Sequence, residues 1–171
     1  LDKINNNPYS LCLDPINMGF DEVDNFANLI NPESNSFYRY KAGITHILIV
    51  NSQSGHTCLP KDRLKLKATE KFNMSEDEFD RIIEEETDDE NLVEYKKNGR
   101  AFIYLADYFK AERYIAERLT LTKSCFPEYN DHYEKDIDKA EKQSGVFYDK
   151  IQKDAIIKAL SNGVMILTGG P

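Results

Sequence analysis

The sequence predicts a mainly helical fold with one small β-hairpin. Three observations carry this. Apolar residues recur at i, i+3, i+4 and i+7 along successive stretches, two strand-like runs flank the turn-forming Lys97-Asn98-Gly99-Arg100, and the 171 residues include only 8 Gly and 6 Pro. Hydrophobic residues make up 40% of the chain and charged residues 30%, which is enough apolar matter for a core and argues against a linker or a collagen-like chain. At roughly 100 to 200 residues per domain the length allows one ordinary domain or two small ones.

Taken in order, Val23, Phe26, Ala27 and Ile30 line one face of a first short helix, which Asn31-Pro32 ends. Phe37, Tyr40, Ile44, Ile47 and Leu48 carry a second, closed by the polar cluster at 51–55. Pro60 suits the first turn of a third helix with Leu64, Ala68 and Phe72 inward. Ser75 followed by Glu78 is a capping-box pattern for a fourth, with Phe79, Ile82 and Ile83 buried. The runs 91–95 and 101–105 then form the hairpin. Three helices and a hairpin are the order of a winged-helix module. A fifth helix is expected to turn Tyr108, Ala111, Ile115 and Leu119 to one face. The charged stretch 128–143 reads as an exposed helix or a linker. Ile151, Ala155, Ala159 and Leu160 mark a last helix, Asn162-Gly163 stops it, and Val164-Met165-Ile166-Leu167-Thr168 reads as a short buried strand.

Charge narrows the function. Lys plus Arg number 22 against 30 Asp plus Glu, a formal net charge of -8, so the whole surface is not a phosphate grip. The imbalance is local. Residues 75–95 hold eleven acids against the single base Arg81, and setting them aside leaves 21 basic against 19 acidic residues elsewhere. A helix so acidic is expected to repel DNA and to suit a basic protein partner or another domain of the same polypeptide. Lys96, Lys97, Arg100, Lys110, Arg113 and Arg118 form the best basic stretch, read either as an ordinary solvated face or as a DNA track. No apolar run approaches the roughly 18 to 20 residues that span a bilayer and residues 1–8 do not resemble a signal peptide, so no membrane role and a cytoplasmic location are expected. Cys12, Cys58 and Cys125 are odd in number and widely spaced, which predicts reduced thiols. His56 and Cys58 lie near each other, but the scatter of His46, His132 and the other cysteines gives no metal-site spacing; buried thiols and surface imidazoles are expected instead.

The most informative segment is the last. Gln152-Lys153-Asp154-Ala155-Ile156 on a helix, followed by Val164-Met165-Ile166-Leu167-Thr168-Gly169-Gly170-Pro171, resembles the opening of the motor in superfamily-one helicases of the RecD/TraA (RecD-like) type. In P-loop proteins a buried strand runs into a glycine-rich loop whose backbone N–H groups close around phosphates. The resemblance implies that Gln152 reads adenine and that Gly169, Gly170 and Pro171 begin the phosphate loop. The Gly-Lys-Ser/Thr that holds the terminal phosphates and magnesium is not in the sequence, which is therefore expected to be truncated inside the Walker A motif.

Further upstream, Asn7-Pro8-Tyr9 and Asn17-Met18-Gly19-Phe20 resemble the start of the helix-hairpin-helix segment in the long-N-terminus branch of that family, and Gly55-His56-Thr57-Cys58-Leu59-Pro60 resembles its Gly-His-Thr-x-Leu-Pro connection. Such turns bind one phosphate through backbone N–H groups, which here implicates Met18 and Gly19. Asn17 stands where a first glycine is expected, and Asp21, Glu22 and Asp24 follow, so packing is favoured over DNA binding for this copy.

The resemblance implies a fold in four parts: a helix-hairpin-helix-like segment at 1–35, a winged-helix-like module at 36–123, a charged linker or helix at 124–146, and the first helix and strand of a P-loop ATPase domain at 147–171. It implies ATP and magnesium in the parent protein and none in this piece. It also implies 5′-to-3′ unwinding of DNA in recombination or repair, acting on single strands or forks, by a parent to which this chain contributes an accessory, non-catalytic part. The alternative is a stand-alone protein-interaction or DNA-binding module. Residues 147–171, lacking the rest of a parallel sheet, are expected to be poorly ordered or to pack elsewhere.

Overall fold

The computed structural model describes residues 4, 6–13, 15–30, 36–125 and 132–169. Their contacts cluster into two compact units, 1–110 and 111–171.

The first unit opens with a 3-10 turn at Pro8–Cys12, where Pro8 pre-sets the backbone, followed by helices α1 (Phe20–Ile30) and α2 (Ser36–Gln53). At the end of α2 the Asn51 side chain donates to the carbonyls of His56 (3.2 Å) and Cys58 (3.1 Å). These bonds steer the chain into β1 (Cys58–Pro60), a strand that the sequence reading took for a connection. Pro60 is the N-cap of α3 (Lys61–Phe72), which ends on Asn73 in the left-handed region, φ 54°. The capping box forms as expected: the Glu78 N–H donates to Ser75 Oγ and the Ser75 N–H to Glu78 Oε2, opening α4 (Glu76–Asp88).

Strands β2 (Leu92–Lys97) and β3 (Arg100–Leu105) are antiparallel, and β1 pairs with β3 on its other side, giving the order β1-β3-β2. One sheet face turns Leu59, Leu92 and Ile103 to the core formed with Leu64, Phe72, Phe79, Ile82, Ile83, Ile44 and Val23. Helix α5 (Ala106–Ser124) follows β3 directly in the chain.

Helices α2 and α3 approach closely at Gly43. A Cβ built on Gly43 meets the Phe72 ring at 2.5 Å, so only glycine leaves room for the ring. Phe72 is 3% exposed and is fixed from other sides by Phe20, edge-on at 5.5 Å, and by the Arg39 guanidinium 5.6 Å from its centroid.

In the second unit, α6 (Tyr133–Ser144) and α7 (Lys150–Ser161) form a helical hairpin. Gly145, φ 70°, caps α6 and turns the chain. The buried Glu141 carboxylate accepts from the Tyr148 N–H and from Lys153 Nζ, each at 2.7 Å, and these donors, Lys153 first, hold it below the usual carboxylate range. From Tyr133 onward the charged stretch is thus a helix with an inward side at Ile137 and Glu141, and its residues 128–131 lie outside the described residues.

Several expectations are corrected. Phe26 and Ile30 are 39% and 44% exposed, because the buried stripe of α1 runs through Phe20, Val23 and Ala27 instead. The expected face of α5 is not buried: Ala111 is exposed, Ile115 is 55% and Leu119 48% exposed, and Tyr108, 36% exposed, lies with its hydroxyl 3.2 Å from that of Ser52 on α2. In α7, Ile151 is 81% exposed. The run 164–168 is not a strand; without a described partner strand to take its backbone bonds it stays irregular, with Ile166 85% and Leu167 77% exposed. Among the described residues no helix is long and apolar enough to cross a membrane.

Gly43→Ala should destabilise the protein despite the better helix propensity of Ala. The propensity gain is about 1 kcal/mol, whereas forcing a methyl into a filled core costs about 1–3 kcal/mol. A urea midpoint equal to or above that of the wild type would contradict the close packing of Phe72.

Candidate nucleic-acid interface

The hairpin turn is built from Asn98 (φ 51°) and Gly99 (φ 76°), two consecutive left-handed residues that match the twist of the flanking strands. Its register sets Lys97 opposite Arg100 and Lys96 opposite Ala101, so three of the expected basic residues meet at the tip. Lys96 is 77% exposed and 3.4 Å from Glu94; Arg100 Nη2 donates to both Asp62 carboxylate oxygens, at 3.1 and 3.3 Å. Exposed pairs of this kind hold a side chain weakly and exchange readily for a phosphate. Lys97 and Lys110 are exposed. Arg113 lies further along α5, paired with Glu117 at 3.5 Å within the second unit, and Arg118 is exposed there as well.

At the N-terminal turn Asn17 adopts φ 52°, the left-handed geometry for which Asn is tolerated in place of glycine. The Asn17 N–H donates to the Leu13 carbonyl (3.0 Å) and the Met18 N–H to that of Leu11 (2.9 Å). Gly19 opens α1 with its carbonyl accepting from Val23, and a Cβ there meets only the Glu22 carboxylate, at 3.7 Å, in ordinary contact. The Met18 amide is therefore already engaged, and Gly19 is not sterically required. Asp21 and Glu22 are exposed on the first turn of α1, where they oppose an incoming phosphate.

Asp24 does not act with them, contrary to expectation. Its Oδ1 accepts from the Tyr9 hydroxyl (2.6 Å) and Arg39 Nε (2.7 Å), and its Oδ2 from Arg39 Nη2 (2.9 Å). The Arg39 hydrogen bonds hold the Asp24 carboxyl below its ordinary value against the opposing effect of burial, and the Tyr9 bond adds to them. Burial first, then the bond to Asp24, pushes the Tyr9 hydroxyl far up, so it remains a donor. His46, expected at the surface, is half-buried and stacked on Phe20 at 5.0 Å; burial lowers its pKa. Of the thiols, Cys12 and Cys58 are half-buried and Cys125 is exposed, so burial does not account for all three.

The acidic helix is partly neutralised from within the fold. Lys41 on α2 lies 2.5 Å from Glu86 Oε1, 3.1 Å from Glu85 and 3.9 Å from Asp89; burial pulls its ammonium down, but the two glutamates outweigh it and hold it raised. Lys65 on α3 lies 2.6 Å from Asp80 and 3.7 Å from Glu76. Asp77, Glu84 and Asp88 face solvent. This helix packs through Phe79, Ile82 and Ile83 against the core side of the sheet, with Leu92 and Ile103.

The nucleotide candidates are placed as follows. Gln152 is the third residue of α7 and is tied into its cap: its N–H donates to Asp149 Oδ1 (2.9 Å) and its Oε1 accepts from the Asp149 N–H (3.0 Å). The side-chain NH2 is the remaining hydrogen-bonding group of that amide. Gly169 is exposed, with open space where a Cβ would stand, and Gly170 and Pro171 lie outside the described residues.

Two arrangements went unread in the sequence. The Tyr9, Asp24 and Arg39 triad joins residues fifteen apart on three elements, which no local pattern marks. The aromatic alternation of Phe102 and Tyr104 with Ile103 and Leu105 is visible in the sequence, and it sets the aromatics on the sheet face away from the core.

Compared with known families, residues 1–58 fit the model of the ATP-dependent RecD2 DNA helicase HHH domain. The match covers about a third of the chain, from the Pro8–Cys12 turn through α1 and α2 into β1. Over those residues it supports an N-terminal region of a RecD2-type helicase, in keeping with a DNA-related role.

The Asp24 carboxylate gives a pH signature. Its folded pKa is depressed, so its stabilisation is complete above the unfolded value of about 3.9 and is lost as pH falls through the folded value. Asp24→Asn should cost about 1–3 kcal/mol at pH 7 and should lose less stability than the wild type as the pH falls from about 4 to about 2. Parallel stability curves for the two proteins in urea over that window would refute the assignment.

Proposed function

We propose that this chain is the N-terminal accessory region of an ATP-dependent DNA helicase of the RecD2 type, acting in unwinding during recombination or repair. The observation that carries the reading is the match of residues 1–58. The order helix, strand, two helices and two strands over 36–105, with the sheet order β1-β3-β2, supports a winged-helix-like module in which the hairpin is the wing. Lys96, Lys97 and Arg100 at its tip are the DNA-facing cations, with Lys110 and Arg113 further along α5. Met18 and Gly19 serve mainly to shape the turn into α1.

Residues 147–171 are read as the entry to the motor: α7 presents Gln152 toward adenine, and Gly169 with Gly170 and Pro171 begins the phosphate loop. ATP and magnesium then belong to the longer polypeptide, where the metal neutralises the phosphates. The acidic surface of 75–95 faces a basic partner or domain rather than DNA, and the protein works in the cytoplasm without a membrane.

In the polypeptide extended past Pro171 through a Gly-Lys-Ser/Thr, single-stranded DNA should stimulate ATP hydrolysis, and a duplex with a 5′ overhang should be unwound in preference to one with a 3′ overhang. The 171-residue chain alone should show no turnover of ATP. Unwinding from the 3′ overhang, or ATP turnover by the short chain, would sink this reading.

A further inference from the structure

We propose that the outer face of the three-stranded sheet is a base-stacking platform for single-stranded DNA. The strands alternate, so the residues that do not face the core share one surface: Val93, Tyr95 and Lys97 on β2, and Arg100, Phe102 and Tyr104 on β3. Register places Tyr95 beside Phe102 and Lys97 beside Arg100. Phe109, from the first turns of α5, folds back onto this surface, its ring 5.8 Å from that of Tyr95 and 5.3 Å from that of Tyr104. The Arg100 guanidinium lies 5.9 Å from the Phe102 centroid. Phe109 thus joins Tyr95 and Tyr104 across this face, and Phe102 lies opposite Tyr95 with two cations beyond it at the turn.

Several features select the occupant. Phe102, Tyr104 and Phe109 are half-buried and Tyr95 is 42% exposed, and partly exposed rings are the kind of surface on which unpaired bases stack. Lys97 and Arg100 at one end, and exposed Lys110 next to Phe109, supply charge for the backbone that connects those bases. Arg100 is held by Asp62 in an exposed pair, so a phosphate can replace the carboxylate at little cost. The eleven acids of 75–95 lie largely on α4, which packs against the opposite side of the sheet, so the sheet itself stands between them and the strand. A winged-helix module whose third helix is too acidic for the major groove thereby keeps one nucleic-acid surface, and it is suited to unpaired bases rather than to duplex.

The inference deepens the helicase reading by naming a site and a strand, but its test is made on this chain without ATP. A fluorescein-labelled oligothymidylate of about 15 nucleotides is titrated with the 171-residue protein and followed by anisotropy at two salt concentrations, about 50 and 200 mM. Tyr95→Ala should weaken binding roughly 5- to 100-fold, the loss of one base–aromatic stack, with an unchanged salt slope. Tyr95→Phe, which keeps the ring, should bind as the wild type does. Lys97→Ala should lower the slope of log K against log salt by about 0.7. Circular dichroism melts of each variant separate lost binding from lost folding. Absence of binding at the lower salt, or binding by folded Tyr95→Ala as tight as the wild type, overturns the platform. In the second case a DNA role through the hairpin tip survives, and the helicase reading stands or falls on directional unwinding alone.

Discussion

The first unit depends on the seating of Phe72 against Gly43. A glycine in the middle of an 18-residue helix is unfavourable for the helix itself, and here it is the condition for α3 to approach α2 closely enough to bury the ring. Phe72 then serves as a junction, because Phe20 from α1 meets it edge-on and Arg39 from α2 covers it. Arg39 in turn holds Asp24, and Asp24 holds Tyr9. One continuous set of contacts thereby runs from the N-terminal turn through three helices. The segment that matches the helicase HHH domain therefore shares a single core with the sheet and its helices, since Tyr9, Phe20, Val23 and Ala27 are buried together with Leu64, Ile82 and Ile103.

That shared core also explains how so acidic a helix is tolerated. Helix α4 is amphipathic, and its apolar stripe fixes it in place whatever its charge. The carboxylates nearest the fold meet Lys41 and Lys65, while the remainder stay in solvent, where like charges are screened over about 10 Å at ordinary salt. Charge is thus separated across the sheet, with acids behind the core face and cations around the hairpin tip. Net charge alone conceals this, which is why a total of -8 excludes a uniformly basic protein and still leaves room for a local nucleic-acid surface.

Much of the architecture was legible in the sequence, for physical reasons that can be named. Helices α2, α3 and α4 announced themselves because their buried residues repeat at 3.6, and the box of Ser75 with Glu78 marked a start that the structure forms with both hydrogen bonds. The hairpin followed from Asn98-Gly99. Short strand β1 was missed, since three residues set no period and Pro60 reads as the beginning of a helix. Periodicity also says which residues are apolar, not whether anything covers them; hence Ile115 and Leu119 were placed on a face of α5 that is open. Of the candidate site, the tip cations were legible from composition, whereas their aromatic neighbours needed the strand register, and the inward turn of Asp24 needed a partner fifteen residues away.

The run Val164-Met165-Ile166-Leu167 carries the last step of the argument. A strand of an antiparallel sheet with one face wet alternates apolar and polar residues. Residues 164–167 do not alternate; they are continuously apolar, the pattern of a strand meant to be covered on both faces. They form no strand, and Ile166 and Leu167 are exposed. Under the function proposed above this run is the central strand of a parallel α/β domain, which in P-loop proteins runs into a glycine-rich loop.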